Sequence, residues 1–282
     1  MKKIFLLAAL LGLLFPLRAH AQTAADSTLW AAIDWQWTDL GKGARAGYAQ
    51  IHIWDSVQSI SIVTYPIRKF RTSLVHAPGE LSNTTDSLAR REHARFALNG
   101  SYFNMKRLTP VTFFNLAHRV VGVTPASGLY RSNGVLCIRN RCGKRLEIIP
   151  YDSTRTENYR RQYYSALASG PILMLDGKVP PFPAEDSFYQ MRHPRTIFGW
   201  DAAGTAYMVI VDGRFPGQAA GMSILELTVI ARLLGMKDAI NLDGGGSSTL
   251  WTDRTGVINY PYDNRVFDHA GMRKVPNILI VK

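Results

Sequence analysis

Apolar and polar residues alternate with a period of two in the first third of the chain. Residues 49–54 (AQIHIW) and 59–63 (SISIV) follow this pattern, which is typical of strands with one buried face. Turn residues separate further short apolar runs at 111–114, 120–123, 134–138 and 146–150. The pattern therefore predicts a centre rich in β-strands.

Two segments carry helix signals instead. Residues 84–95 read as a helix that begins near Thr85 and Asp86, either of which is a candidate cap. Ser223 and Glu226 have the S-x-x-E spacing of a capping box, and apolar residues then recur at helical spacing until Gly235 ends the run. The second segment is the best-defined helix in the sequence.

The remaining segments predict how the chain is organised. An apolar run at 166–175 precedes a proline-rich loop at 180–190, the longest candidate for a rim over a site, and strands are predicted at 196–200, 206–211, 239–242 and 275–281. No repeat, linker or change of composition divides the chain. The sequence thus predicts an α+β fold with one domain, a mixed β-sheet core with packed helices, and a site at strand ends and loops.

The first 21 residues have the three-part pattern of a signal peptide. Lys2 and Lys3 precede an apolar run at 4–17, and the small-x-small triplet 19–21 follows it. We expect cleavage after Ala21, a mature domain at 22–282, and export to the periplasm or the medium. No later stretch reaches the roughly 20 apolar residues of a membrane span, so none is expected in the mature protein.

Composition and charge restrict the classes of protein and partner. With 46% hydrophobic and 19% charged residues, the chain is neither disordered nor collagen-like. Removing Lys2, Lys3 and Arg18 lowers the net charge from +12 to +9. The basic residues are dispersed and no nucleic-acid motif accompanies them, which excludes nucleic acid as the expected partner. A solvated surface, an anionic surface polymer and a small anionic substrate remain as explanations.

The two cysteines, Cys137 and Cys142, flank four residues within a predicted hairpin at 134–149. Export favours oxidation, so we expect a disulfide between them, with two free thiols as the alternative. The loop that this bridge closes is short, and its entropic stabilisation would be roughly 2 kcal/mol. In both cases the role is structural.

Carboxylates end two of the predicted strands. Asp212 and Asp243 each follow an apolar run and precede a glycine, which suits acid/base or nucleophilic work at a sheet edge. Glu226 is a third acidic candidate, although the capping box accounts for it equally well. The sequence does not define the distance between these groups.

Asp243 opens the run Asp-Gly-Gly-Gly-Ser-Ser, whose backbone can approach an anion closely. A structural glycine turn is the alternative. The run lacks the lysine of a P-loop and the spacing of a dinucleotide-binding loop. Arg195, Arg214 and Arg273 come from separate segments, and their guanidinium groups are suited to bidentate contacts with phosphate.

An ordered set of motifs runs along the chain: Asn99-Gly100-x-x-Phe103, Ser169-Gly170-Pro171 with Asp176-Gly177-Lys178, His193-Pro194-Arg195-Thr196, Asp212-Gly213-Arg214, Gly221-Met222-Ser223-x-x-Glu226-Leu227, the run Asn241 to Ser248, and Arg273-x-Val275-Pro276-Asn277. Taken in this order, the motifs resemble those of the phosphodiester glycosidase family from about residue 50 to the C-terminus.

This resemblance implies hydrolysis of a sugar-1-phosphodiester, such as an N-acetylglucosamine-1-phosphodiester, into a sugar and a phosphomonoester. Asp243, Asp212 or Glu226 would act as base or nucleophile at the anomeric carbon, and Asn99 would bind sugar hydroxyls. The groups assigned to substrate and phosphate are Arg195, Thr196, Arg214, Gly244, Gly245, Gly246, Ser247, Ser248 and Arg273.

Two other functions remain open at this point. One is an exported binder of phosphorylated surface glycans without catalysis, and the other is a phosphodiesterase that cleaves P–O bonds. Metal-ligand spacing is absent from the sequence, so we expect no cofactor, no metal, and activity in the presence of a chelator.

Overall fold

Strands dominate the fold. The computed structural model describes residues 24–183 and 186–282, so the predicted signal peptide lies outside the described residues. The helices in these residues are α1 (Ala24–Ala31), α2 (Thr85–Arg91), α3 (Thr156–Gln162), α4 (Ser187–Gln190) and α5 (Ile224–Leu233). The strands are β1 (Gln36–Gly41), β2 (Ala44–Ile53), β3 (Ser56–Pro66), β4 (Thr72–His76), β5 (Phe96–Asn99), β6 (Phe103–Asn104), β7 (Thr109–Pro110), β8 (Phe114–Leu116), β9 (Arg119–Gly122), β10 (Gly134–Ile138), β11 (Leu146–Pro150), β12 (Ser165–Ser169), β13 (Ile172–Met174), β14 (Arg195–Asp201), β15 (Thr205–Val211), β16 (Met236–Asn241), β17 (Leu250–Thr252), β18 (Gly256–Val257) and β19 (Asn277–Val281).

The strands form three main sheets. A seven-stranded sheet has the order β1-β2-β3-β15-β14-β16-β13, and two five-stranded sheets have the orders β11-β10-β12-β8-β9 and β18-β17-β5-β19-β4. Every pairing between the described strands is antiparallel. The predicted α+β class with a single domain is confirmed.

The seven-stranded sheet is covered on both faces. Side chains alternate between the faces of a strand, so neighbouring residues of β14 enter different cores. Phe198 belongs to the same core cluster as Leu136 and Leu98, which come from the two five-stranded sheets. Ile197 belongs to a second cluster, which includes Leu227 and Ile230 of helix α5. The main core therefore lies between the three sheets, and α5 shields the opposite face.

The predicted elements agree with the structure where the local signal is strong. Strands β10 and β11 have the predicted bounds, and α5 begins at the predicted capping box. No helix in the described part of the chain is long and apolar enough to cross a bilayer. The apolar run at 166–175 differs, because it divides at Gly170-Pro171 into β12 and β13, which belong to different sheets.

The expected disulfide is absent, since Cys137 and Cys142 are both free thiols. Cys137 lies on β10 opposite Glu147 of β11 and is buried, whereas Cys142 lies in the exposed loop between the two strands. Hairpin register therefore pairs Cys137 with a residue other than Cys142. Burial raises the pKa of the Cys137 thiol, which favours its neutral form.

Candidate active site

Three chain segments meet at one edge of the seven-stranded sheet. Strand β14 begins where its antiparallel neighbours β15 and β16 end, because Arg195 pairs with Val211 and Ile197 pairs with Asn241. The residues at 193–195, 212–214 and 243–246 therefore converge, and a cleft of about 190 Å³ lies there. Its lining consists of Tyr102, Arg131, Phe188, His193, Pro194, Arg195, Arg214, Asp243, Gly244, Gly245, Gly246 and Arg273.

The glycine run is fixed by close backbone contacts. The Gly245 amide donates to the carbonyl of Pro194 over 2.9 Å. A Cβ atom on Gly244 would lie 2.5 Å from the same carbonyl oxygen, and Gly245 has a positive φ of 64°. Gly244 and Gly245 are therefore required by the backbone conformation. The run is a structural glycine turn, whether or not it also binds an anion.

The amides of the glycine run are less available than the sequence predicts. Those of Gly245, Ser247 and Ser248 all donate to backbone carbonyls. An anion in the cleft must therefore rely mainly on side chains. The backbone of the glycine run therefore contributes less to anion binding than the sequence predicts.

Asp243 is the acidic residue of the cleft lining. Burial raises the pKa of its carboxyl group, while the side chain of Ser247, the charge of Arg273, the Gly244 amide and the charge of Arg131 act in the opposite direction. Its backbone is held from both sides, because its amide donates to the Gly100 carbonyl over 3.0 Å and its carbonyl accepts from Asn99 Nδ2 over 2.7 Å. A carboxylate positioned beside cations suits a base or a nucleophile.

Arg214 and Arg273 both lie beside the glycine run, close to Gly245 and Gly246 respectively. Arg214 has a positive φ of 68°, and its guanidinium lies 5.4 Å from the centre of the Tyr262 ring. Arg273 donates through Nε to Asp263 Oδ1 over 2.8 Å. Because a Cβ atom on Gly246 would lie 2.5 Å from Arg273 Nη2, the absent side chain leaves room for that guanidinium.

Arg131 is a fourth arginine of the cleft lining, and sequence reasoning missed it. Its guanidinium lies 4.6 Å from the centre of the Tyr102 ring, a cation–π distance. It ends the 3-10 helix Ala126–Arg131 and belongs to none of the recognised motifs. Nothing in its local sequence distinguishes it from the other arginines.

Arg195 lies deeper than its neighbours and is 3% exposed. It donates through Nε to the Met222 carbonyl over 3.0 Å, and through Nη2 to the carbonyls of Phe188 and Met191, both over 2.9 Å. Burial lowers its pKa to about 10, so it remains a cation at neutral pH. Two of these three hydrogen bonds hold the segment 188–191, which includes the end of α4, so Arg195 supports the cleft as well as lining it.

His193 borders the cleft beside two cations. Burial, together with the charges of Arg195 and Arg214, lowers its pKa, which favours the neutral ring at neutral pH. Its Nδ1 atom lies 3.4 Å from Arg214 Nη2 and is placed to accept a hydrogen bond from it. The loop predicted as a rim also reaches the cleft, since Phe188 of α4 lines it.

Asn99 does not line the cleft, in contrast to its predicted contact with sugar hydroxyls. It is fully buried, and its Oδ1 accepts hydrogen bonds from Thr196 Oγ1 and from the Thr249 amide, both over 3.1 Å. The Thr196 hydroxyl also lies 3.2 Å from Ser248 Oγ, from which it can accept a hydrogen bond. Asn99, Thr196 and Ser248 thus form a polar network beneath the glycine run instead of a surface that contacts substrate.

Asp212, which the sequence offers as a second catalytic acid, is not among the residues that line the cleft. It is buried, and its carboxylate accepts hydrogen bonds from Ser59 Oγ over 2.8 Å, Asn259 Nδ2 over 2.9 Å and the Tyr260 amide over 3.0 Å. Burial raises its pKa to about 6, although these hydrogen bonds act against that shift. Asn259 donates in turn to the Ser248 carbonyl over 3.0 Å. Asp212 therefore supports the glycine run indirectly, through Asn259.

Glu226 forms the capping box of α5 with Ser223, which is the structural role that the sequence offered for it. The Ser223 amide donates to Glu226 Oε2 over 2.8 Å, and the Glu226 amide donates to Ser223 Oγ over 3.1 Å. Arg192 donates through Nε to Glu226 Oε1 over 2.9 Å. Both carboxylate oxygens are therefore occupied in holding the start of α5, outside the cleft.

One carboxylate and several cations thus make up the charged chemistry of the cleft. In residues 24–183 and 186–282, no group of three or more His, Cys, Asp or Glu side chains is arranged to hold a metal ion. The arrangement suits an anionic substrate held by guanidinium groups beside one acid/base or nucleophilic group.

Known proteins resemble this chain in sequence or in fold. The family model for phosphodiester glycosidase matches residues 92–282. The fold is similar to the catalytic domain of zebrafish N-acetylglucosamine-1-phosphodiester alpha-N-acetylglucosaminidase, auto-inhibited by its pro-peptide, with a TM-score of 0.66, 17% identity, and coverage of 88% of this chain and 87% of that one. It is also similar to a hypothetical protein from Synechocystis, with a TM-score of 0.63, 15% identity, and coverage of 88% and 63%. No curated protein matches the sequence.

Proposed function

This chain belongs to the phosphodiester glycosidase family, and on that premise we propose that it hydrolyses the glycosidic C–O bond of a sugar-1-phosphodiester. The observation that supports the proposal most directly is the position of Asp243 in a cleft lined also by Arg131, Arg214 and Arg273. The guanidinium groups match the charge of a phosphodiester, and the carboxylate supplies the group that reacts at the sugar.

The single carboxylate of the cleft suits this leaving group. Glycosidases that cleave alkyl glycosides commonly use a second carboxyl group as a general acid, because an alkoxide is a poor leaving group. A phosphomonoester is already stable as an anion and needs no such proton. Cations that stabilise the charge growing on the departing oxygen contribute instead, and four arginines line the cleft.

The reaction balances with water as the co-substrate. The oxygen of water forms a bond to the anomeric carbon, the bond from that carbon to the phosphate oxygen breaks, and the electron pair leaves with the phosphomonoester. Asp243 either takes the proton of the attacking water or first bonds to the anomeric carbon as a nucleophile, and water then releases the sugar.

Hydrolysis in oxygen-18 water tests the proposal. The purified protein is incubated with a panel of sugar-1-phosphodiesters that includes UDP-N-acetylglucosamine, with and without EDTA, and the products are analysed by mass spectrometry. We expect the label in the sugar, undiminished turnover in EDTA, and loss of turnover in Asp243→Asn with an unchanged melting temperature. Label in the phosphate would indicate P–O cleavage, and saturable binding without turnover would indicate a glycan binder.

We also propose that the protein is exported, on the basis of the leader pattern at residues 1–21. Expression of the full chain in a bacterium, followed by fractionation and N-terminal sequencing, tests this proposal. Export predicts a processed protein that begins at Gln22 outside the cytoplasm. A full-length cytoplasmic product would contradict it.

A further inference from the structure

A second cavity, of about 700 Å³, lies at the end of the seven-stranded sheet opposite the cleft. Strand β14 begins at the cleft with Arg195 and passes through Trp200, which lines this cavity. At about 3.3 Å per residue, Arg195 and Trp200 are roughly 17 Å apart along the strand. The second cavity is therefore a separate groove, and we call it the basic groove after its lining residues Arg68, Arg139, Lys144 and Arg145.

The charge of the basic groove is largely unbalanced. Glu147 is the acidic residue of the lining, and it is already engaged, since its Oε1 accepts from Arg139 Nε over 2.7 Å and its Oε2 accepts from Tyr163 Oη over 2.9 Å. Among the described residues, no carboxylate forms an ion pair with Arg68, Lys144 or Arg145. Three exposed cations thus share one concave surface without compensation.

Such an arrangement attracts an anionic ligand. Like charges gathered on one concave surface repel one another, and a concave shape focuses the field that attracts a counter-charge. The volume is within the range of ligand-binding clefts, roughly 300–1,000 Å³. Both the charge and the shape therefore favour an extended anion with several negative groups, as opposed to a single small ion.

The lining also discriminates between classes of polyanion. Proteins that hold single-stranded nucleic acid offer exposed aromatic rings on which bases stack. Trp200 is the one aromatic residue in the lining, and it is 9% exposed, so its ring is not available for stacking. Arginine and lysine side chains, by contrast, bind the phosphate, sulfate or carboxylate groups of a polysaccharide without any ring.

We propose that the basic groove binds a linear anionic polysaccharide. The site is separate from the cleft, and the proposal does not depend on the reaction catalysed there. Its consequence is that the protein associates with an anionic glycan at one end of the sheet while the cleft at the other end remains accessible.

Charge reversal in the basic groove tests this proposal, with heparin as the polyanionic probe and neutral dextran as the negative control. The test variant is Lys144→Glu with Arg145→Glu. The matched control is Arg119→Glu with Arg232→Glu, which changes the net charge equally at two exposed positions outside the groove. Binding is measured by titration calorimetry at several salt concentrations, and folding by circular dichroism.

We expect wild-type protein to bind heparin with an affinity that falls as salt rises, and not to bind dextran. The groove variant should lose at least tenfold in affinity, and the control variant less than threefold. Equal losses in both variants would overturn the proposal, because net charge alone would then explain the binding. Tighter binding of a DNA duplex than of heparin would overturn the choice of a polysaccharide.

Two further measurements keep the test decisive if charge reversal impairs folding. The neutral variant Lys144→Gln with Arg145→Gln should also weaken heparin binding, by about half as much on a logarithmic scale. Hydrogen exchange of the wild-type protein should show that heparin protects the segment 139–147. Protection confined to the segments around the cleft would contradict the proposal.

Discussion

The side-chain amide of Asn99 donates a hydrogen bond to the backbone carbonyl of Asp243 over 2.7 Å. The two residues are 144 positions apart, and β5 ends at Asn99 in a different sheet from β16, which precedes Asp243. This hydrogen bond therefore ties the candidate catalytic residue of one sheet to the end of a strand in another. Asn99 is a positioning residue for Asp243.

Replacing Asn99 by Asp should lower kcat and leave KM largely unchanged. An ionised Asp retains an acceptor for Thr196 and the Thr249 amide but lacks the donor to the Asp243 carbonyl. We expect a loss of tenfold or more in kcat, which corresponds to about 1.4 kcal/mol. Steady-state kinetics at saturating substrate measure it. A rise in KM with kcat intact would instead support direct contact between Asn99 and the sugar.

Arg131→Ala should lower kcat/KM for a sugar-1-phosphodiester at least tenfold, because it removes one of the cations that line the cleft. Arg90→Ala is the matched control, since Arg90 also lies over an aromatic ring, Trp251, but outside the cleft lining. The control should retain the wild-type rate. Equal effects of the two substitutions would indicate loss of packing instead of loss of phosphate binding.

Gly246→Ala should impair the site through Arg273. The added Cβ would lie 2.5 Å from Arg273 Nη2 and 2.6 Å from Asp263 Oδ1, so the ion pair must move. We expect kcat/KM to fall at least tenfold. In an Arg273→Ala background the same substitution should cost much less, a non-additivity that a double-mutant cycle measures. Additive losses would show that Gly246 acts independently of Arg273.

Asp212→Asn should change how stability depends on pH. The pKa of Asp212 is about 6 in the folded protein against an ordinary value of 3.8, so the folded state binds the proton more tightly than the unfolded state does. Its contribution to stability is therefore fully present below about pH 4 and is lost as the pH rises through 6, by roughly 3 kcal/mol.

Melting temperatures of the wild type and the variant between pH 4 and 7 measure this effect. Asn does not titrate, so we expect the wild type to lose stability relative to Asp212→Asn as the pH rises across this interval. Parallel curves would contradict the assigned pKa. Turnover by the variant at pH 7 should persist, since Asp212 lies outside the cleft lining.

Glu226→Gln separates a capping role from a catalytic one. Gln retains the hydrogen-bonding pattern of the capping box but loses the charge that faces Arg192. We expect the free energy of unfolding to fall by about 1–3 kcal/mol and kcat to stay within twofold of the wild type. A loss of kcat comparable to that of Asp243→Asn, without destabilisation, would restore Glu226 as a catalytic residue.

Local sequence determines elements whose stabilising contacts are themselves local. The Ser223–Glu226 capping box and the strands β10 and β11 follow from residues a few positions apart, and the structure confirms them. The convergence of the segments that begin with His193, Asp212 and Asp243 could also be predicted, because each adjoins a strand end. Both the α+β class and the approximate place of the site therefore follow from the sequence.

Only the tertiary structure decided which of those side chains enter the cleft. Asp212 and Asp243 look alike in sequence, yet Asn259 and Tyr260, nearly 50 residues further along, provide the donors that hold Asp212 in the interior. Arg131 joins the cleft with no motif to mark it. The sequence predicts where a strand ends. The direction of a polar side chain at that point depends on which distant donors pack beside it, and no local pattern in the sequence specifies that packing.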